Sequence, residues 1–207
     1  AVFGQFNNRV KPIPGNHEYI QTQANGYFQY FGTKAGSFGN SWYSYDLGNW
    51  HIVAIDSECA KVGGCGVGSA QYEWVKADLQ RSTTACLAFA WHRPRWTSST
   101  AATPETSMAA LYQLGIAEGA DFILSGHAHN YERFARLAAD GTPSPTGIRQ
   151  FVVGTGCVPN SSNNISRCEN GCALNVGLRV PPVGISKSRA AASGDAKTAN
   201  VKTAAAS

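Results

Sequence analysis

"DFILS" (121–125) runs directly into "GHAHNYER" (126–133), and the reading of this junction decides the fold. Phe122-Ile123-Leu124 is a short apolar run stopped by Gly126, the pattern of a buried strand. Side chains at i and i+2 of an extended segment project to the same side. His127 and His129 are therefore expected to aim their imidazoles into one small volume at a strand end. The chain has only five histidines, so two within three residues is a concentration. An H-x-H triplet is weak alone and equally describes a solvated loop; its meaning depends on the other strand ends.

Two of those carry similar residues. "RVKPIPGNHEY" is a short extended segment that stops at Pro14-Gly15 and delivers Asn16 and His17. "CLAFAWHRP" reads as a buried strand ended by Pro94, and it delivers His92 and Arg93. Neutral imidazole suits zinc, iron and manganese, and an amide carbonyl adds an oxygen ligand. Ligands brought from three separate loops suit a catalytic metal centre, whereas structural zinc sites favour compact knuckles. The fifth histidine, His51, lies inside a strand between Trp50 and Ile52 and reads as a packed, hydrogen-bonded residue.

The intervening segments alternate. "SWYSYDL" and "WHIVAID" are separated by Gly48-Asn49, a hairpin signal with glycine first that suits a type II′ turn. "SAQYEWVKADLQRS" sets Tyr72, Val75 and Leu79 on one helical face, with Ser69 as N-cap. "SMAALYQLGIAEG" is helical and "GIRQFVVGTG" is a further strand. Residues 22–41 are rich in Gly and aromatics without a clear period, and read as a loop. Helices alternating with strands make an α/β protein whose functional loops follow the strand ends. After about Gly177 the pattern fails: "SKSRAAASGDAKTANVKTAAAS" has almost no large apolar residue, and such a segment cannot offset its ordering entropy.

Composition narrows the class further. With 207 residues, 43% hydrophobic and 14% charged, the chain suits one globular domain. Five of the 17 basic residues but only one of the 13 acids lie beyond Gly177, so the body is neutral and no nucleic-acid surface is implied. No apolar run reaches the length of a membrane span. The first residues, "AVFGQFNNR", lack an initiator Met and read as the inside of a longer protein. Cys59 and Cys65 bracket "AKVGG", a loop that could close into a small disulfide ring; Cys168 and Cys172 form a second candidate pair, while Cys86 and Cys157 have no obvious local partner. Paired C-x-x-C spacings for zinc are lacking. Six cysteines used this way favour an oxidising, secreted or extracytoplasmic compartment.

In this order and at these separations, GNHE (15–18), H-x-P (92–94) and GHAHNYER (126–133) resemble the calcineurin-like metallophosphoesterases. The GNHE form and the H-x-H-x-Y-E-R extension are most similar to the purple acid phosphatase branch, including its secreted bacterial relatives. The resemblance covers roughly residues 10–157. It implies an α/β fold, part of a four-layered α/β/β/α sandwich lacking its first strands, with residues 1–176 as the partial domain; composition sets residues 177–207 apart as a disordered tail. It also implies two divalent or trivalent metal ions (Fe, Zn or Mn), with Asn16, His92 and His127 on one and His129 on the other. His17 would contact the substrate phosphate and protonate the leaving oxygen. Two metals roughly 3.5–4 Å apart would supply the nucleophile and clamp the phosphoryl oxygens.

Two departures qualify the resemblance. That family carries G-D-x-G and G-D-x-x-Y motifs upstream of GNHE, which supply the bridging carboxylate, and only 14 residues precede Gly15 here. The sole Gly-Asp pair is Gly194-Asp195, in the tail. Asp46, Asp56, Asp78 and Asp121 read as turn, strand-end or helix residues. The expectation is a fragment that retains half its ligands. Arg93 stands where many bacterial relatives have a second histidine; it could pair with a substrate phosphate or be a solvated loop residue. Tyr131, Glu132 and Arg133 are expected to shape the loop behind the histidines. The expected activity is hydrolysis of a small phosphomonoester; the alternatives are a phosphodiesterase with the same centre and a non-catalytic metal-binding pseudo-enzyme.

Overall fold

The computed structural model describes residues 4–100 and 102–155. Cys157, the Cys168–Cys172 pair and the tail from Gly177 lie outside the described residues. The architecture is α/β: one six-stranded mixed sheet with helices. The strands are β1 (Tyr43–Leu47), β2 (Trp50–Ala54), β3 (Cys86–Ala90), β4 (Phe122–Ser125), β5 (Tyr131–Leu137) and β6 (Ile148–Val153). Their order is β1-β2-β3-β4-β6-β5. The central four, β2, β3, β4 and β6, run parallel, and an antiparallel strand flanks each edge.

The β1–β2 hairpin turns at Gly48-Asn49. Gly48 has φ +59° while Asn49 stays out of the left-handed region, which matches a type II′ turn. Helix α2 (Ala70–Arg81) starts where Ser69 accepts a hydrogen bond from the Tyr72 amide, and helix α3 (Ala109–Ala117) follows a short 3-10 turn. Both helices bury their apolar sides on one sheet face. Val53, Phe89, Ile123 and Ile148 from that face are fully buried, with Val75 and Leu79 of α2 and Leu111 and Tyr112 of α3. Each such side chain contributes on the order of 1.5–3 kcal/mol by leaving water. Gly115 lets α3 sit on the sheet, because a Cβ there would stand 2.6 Å from the Phe89 ring.

The opposite face carries Trp50, Ile52, Phe122, Leu124 and Phe151, all half-buried. Their rings touch in series, Trp50 to Phe122 at 5.0 Å and Phe122 to Phe151 at 6.1 Å. An apolar sheet face of this kind suits a second layer, as the expected four-layered sandwich requires. The described residues build one sheet of that sandwich.

Two sequence expectations change. Residues 22–41 are not a plain loop: they hold helix α1 (Asn25–Phe31) among 3-10 turns. Its aromatics hid the period, since Tyr27 and Phe28 are buried while Tyr30 is 57% exposed. Tyr131, Glu132 and Arg133 belong to strand β5, not to a loop. The preceding segment around Pro12 and Pro14 joins no ladder; the Pro12 carbonyl instead accepts the Tyr27 and Tyr43 hydroxyls. His51 is buried as expected, between Asp46 on Nδ1 (2.7 Å) and Asp78 on Nε2 (2.9 Å).

Cys59 and Cys65 form a disulfide with Cα atoms 5.3 Å apart, and both sulfurs sit in the main core. It closes the loop that follows β2. By the loop-entropy relation a ring this short contributes about 2 kcal/mol. Reduction, or the Cys59→Ser/Cys65→Ser pair, is expected to lower the unfolding free energy by roughly that amount in chemical denaturation. An unchanged midpoint under reductant would show that the bridge carries no stability.

Candidate metal centre

Parallel strands point their carboxyl ends to one edge, and in open α/β sheets ligands bind there. Strand β3 ends into Trp91-His92-Arg93, and β4 ends into Gly126-His127. The register Phe89↔Ile123 sets these ends side by side, and the Gly126 amide donates to the His92 carbonyl at 2.9 Å. The GNHE segment approaches from outside the sheet. Its Glu18 carboxylate accepts the Gly15 amide at 2.8 Å, which closes the turn and leaves Asn16 facing the strand ends.

Three predicted residues meet. The Asn16 Oδ1 lies 2.9 Å from His92 Nε2 and 3.2 Å from His127 Nδ1, and the two ring nitrogens are 3.2 Å apart. With metal–ligand bonds of about 2.0–2.2 Å, neighbouring ligands at right angles stand about 3 Å apart. The triangle therefore has the edge length of three adjacent ligands on one cation. The chemistry of the donors fits as well. Burial, with the His127 ring beside it, pushes His92 down to about 4. Burial and the Arg93 guanidinium push His127 down too. Both rings stay neutral at ordinary pH, with lone pairs to give.

Packing holds the rings in place. A Cβ on Gly15 would stand 2.7 Å from His92 Nε2, so the glycine of GNHE serves close approach. His127 and His129 do not sit on an extended segment: their φ values are +62° and +37°. The left-handed backbone costs on the order of 1 kcal/mol or more per non-glycine residue and persists only where surroundings enforce it. Gly154 supplies part of that enforcement, because its Cβ position lies 2.9 Å from the His129 amide nitrogen. His127 thus joins the triangle through a bend, not through strand alternation. His129 is exposed two residues on and makes none of the triangle's hydrogen bonds, although its charge reaches His127. His17 is likewise exposed at the rim and close enough to act electrostatically on His127. Among the described residues, no three His, Cys, Asp or Glu side chains converge as a metal-holding group; the third corner here is an amide.

Two carboxylates lie near the site, Glu58, which no motif flagged, and Glu132 of the GHAHNYER motif. Glu58 pairs with Arg93, Oε1 to Nε at 2.5 Å, and the Arg93 Nη1 reaches His127 Nε2 at 3.2 Å. Glu132 ties the loop after His92 to the strand after His129: it accepts Thr97 Oγ1 and the Ser98 amide, each at 2.8 Å. Burial would raise its carboxyl, but hydrogen bonds from the Ser98 hydroxyl and amide and from Thr97 hold it below the usual range. Of the four aspartates, Asp56 is fully buried; Tyr19 Oη, Ser41 Oγ and the Glu58 amide donate to it. Asp121 accepts the Leu87 amide. A groove of about 450 Å³ lies elsewhere, lined by Phe28, Gly36 and Phe38 and by none of the candidate residues.

The chain is similar to several known proteins. The chain is 31% identical over 156 residues to purple acid phosphatase 15 of Arabidopsis thaliana, covering 70% of this chain and 28% of that protein. It is 33% identical over 133 residues to probable inactive purple acid phosphatase 9 of the same plant, covering 61% and 18%. The chain thus spans less than a third of either relative. The fold is similar to that of a purple acid phosphatase from yellow lupin (Lupinus luteus) seeds, with TM-score 0.50 and 23% identity, covering 62% of this chain and 26% of that one. The calcineurin-like phosphoesterase model matches residues 2–131, which contain GNHE, the H-x-P and the GHAHNY of the third motif, and the chain belongs to that family.

Proposed function

We propose that this chain carries part of the active site of a metal-dependent phosphoric ester hydrolase, of the purple acid phosphatase kind and acting on small phosphomonoesters. The observation that carries the reading is the triangle of Asn16 Oδ1, His92 Nε2 and His127 Nδ1 with edges of 2.9–3.2 Å. These three residues would hold one divalent cation, and His129 would serve a second. When bound, two such ions supply a nucleophile at neutral pH and neutralise charge at phosphorus. The protein's own side chains do the rest. His17, exposed at the rim, would give its proton to the leaving oxygen. Arg93 would donate to a phosphoryl oxygen, since its fork matches that geometry. The buried Cys59–Cys65 disulfide supports an extracytoplasmic setting, and no helix among the described residues is long and apolar enough to cross a membrane.

A second reading is a metal-binding domain without catalysis. It is favoured by the lack of a third His, Cys, Asp or Glu at the triangle among the described residues. One similar relative is also named as probably inactive. No G-D-x-G or G-D-x-x-Y motif stands upstream of Gly15 in these 207 residues. Without a bridging carboxylate two dications repel each other, so a second ion is weakly held.

Titration with zinc or manganese is expected to give one modest site per chain, lost in His127→Ala. Gly15→Ala removes no ligand, yet it should weaken that site about tenfold or more by displacing the His92 ring. Full affinity in both variants would sink the triangle as a metal site.

Turnover of a chromogenic phosphomonoester by this chain is expected to be poor, with kcat reduced more than KM is raised, because what is missing is the nucleophile. Robust turnover with two tightly bound ions would refute the weak second site. Metal binding with no hydrolysis even at high metal would favour the non-catalytic reading.

A further inference from the structure

Arg93 is not loose. Its Nε donates to Glu58 Oε1 at 2.5 Å and its Nη2 to Glu58 Oε2 at 3.3 Å, a side-on pairing of guanidinium and carboxylate. The corner left over, Nη1, points the other way and lies 3.2 Å from His127 Nε2. We propose that Glu58 is a positioning residue that grips one edge of Arg93 so that Nη1 faces the Asn16–His92–His127 triangle as a donor for a phosphoryl oxygen. The proposal rests on the phosphoesterase reading of that triangle and names the group that orients the substrate anion.

Three observations make the grip firm. The Glu58 and Arg93 side chains are only 10% and 28% exposed, unlike the solvated ion pairs that contribute little. The Arg93 amide donates to Ser57 Oγ at 2.8 Å, so backbone and side chain are both held by the segment after β2. That segment is itself fixed: the Glu58 amide donates to the fully buried Asp56, and the next residue, Cys59, is bridged to Cys65. A guanidinium carries its donors in a rigid fork, so fixing one edge fixes the direction of the other.

The contact with His127 adds a dependence on metal. Arginine cannot give up its proton, so Nη1 can donate to His127 Nε2 only while that nitrogen keeps a lone pair. A neutral His127 that ligates through Nδ1 carries its proton on Nε2 and ceases to accept. Nη1 would then be a cationic donor without an acceptor, on the Nε2 side of the His127 ring and free to meet a phosphoryl oxygen. Anion binding at Arg93 should therefore be strong only in the metal-loaded chain.

The test is calorimetric titration of inorganic phosphate into the full chain, with and without saturating manganese. Manganese-loaded wild type is expected to bind phosphate, and the metal-free chain at least about tenfold more weakly. Arg93→Met should weaken binding about tenfold or more, and Glu58→Gln several-fold. Arg93→Lys, which keeps the charge without the fork, should lose nearly as much as Arg93→Met. The Glu58→Gln/Arg93→Met double variant should bind no more weakly than Arg93→Met, because Glu58 acts only through Arg93. Manganese affinity should stay within a few-fold throughout, which a general disruption of the loop would not allow. Additive losses in the double variant, or phosphate binding indifferent to Arg93, would overturn the proposal. A chain that binds manganese but no phosphate would overturn it while leaving the metal site intact. A chain that binds neither would overturn the phosphoesterase reading and this proposal together.

Discussion

Two neutral imidazoles and an amide oxygen held within 3.2 Å of one another set the constraint on which the rest of the site depends. Three lone-pair-bearing groups do not gather in this way without help. They hydrogen-bond one another, but each has given up water in the process. The surrounding structure must supply the difference. It does so through the ladder of parallel strands, which fixes where His92 and His127 emerge, and through Gly15, which lets the His92 ring approach the GNHE backbone. Left-handed backbone at His127 and His129 is a further cost carried at the same place.

The core explains how the cost is borne. One sheet face is closed by α2 and α3 with side chains that are wholly buried, so the strand ends cannot relax independently. Two tethers then link the loops across the edge, and a third carboxylate closes a turn beside them. Glu18 closes the GNHE turn, Glu132 joins the loop after His92 to β5, and Glu58 holds Arg93 against His127. All three are carboxylates engaged by protein donors. None of the three is turned into the triangle, whose own donors are two imidazoles and an amide.

Sequence reasoning recovered the elements whose signals are local. The Gly48-Asn49 hairpin, the Ser69 cap and the Cys59–Cys65 bridge each rest on a few adjacent residues, and each is present. The convergence of Asn16, His92 and His127 was legible because strand ends in an α/β sheet share an edge. What escaped was long-range or aperiodic. Helix α1 buries Tyr27 and Phe28 but leaves Tyr30 outside, so no stripe betrays it. Glu58 and Glu132 act over 35 and 34 residues of separation, and nothing near them in sequence marks the partner. The i, i+2 argument brought His127 to the right place by the wrong geometry, since the bend and not an extended strand sets its direction.

His51 supplies the contrast that separates a structural histidine from a functional one. It is 6% exposed, yet a carboxylate oxygen stands against each ring nitrogen, at 2.7 Å and 2.9 Å. Its polar demand is met within the fold, through β1 on one side and α2 on the other, and nothing remains for a ligand. His92 is also largely enclosed, but its neighbours are another imidazole and an amide, and burial there drives it toward the neutral state. A buried polar group that is fully satisfied stabilises its surroundings; one that is partly satisfied is costly and is retained for some other reason. The two environments differ in what the ring nitrogens find as well as in depth, since His51 is buried and His92 half-buried. By that criterion the cluster at the ends of β3 and β4 differs from His51, whose two ring nitrogens are both met by carboxylates of the fold.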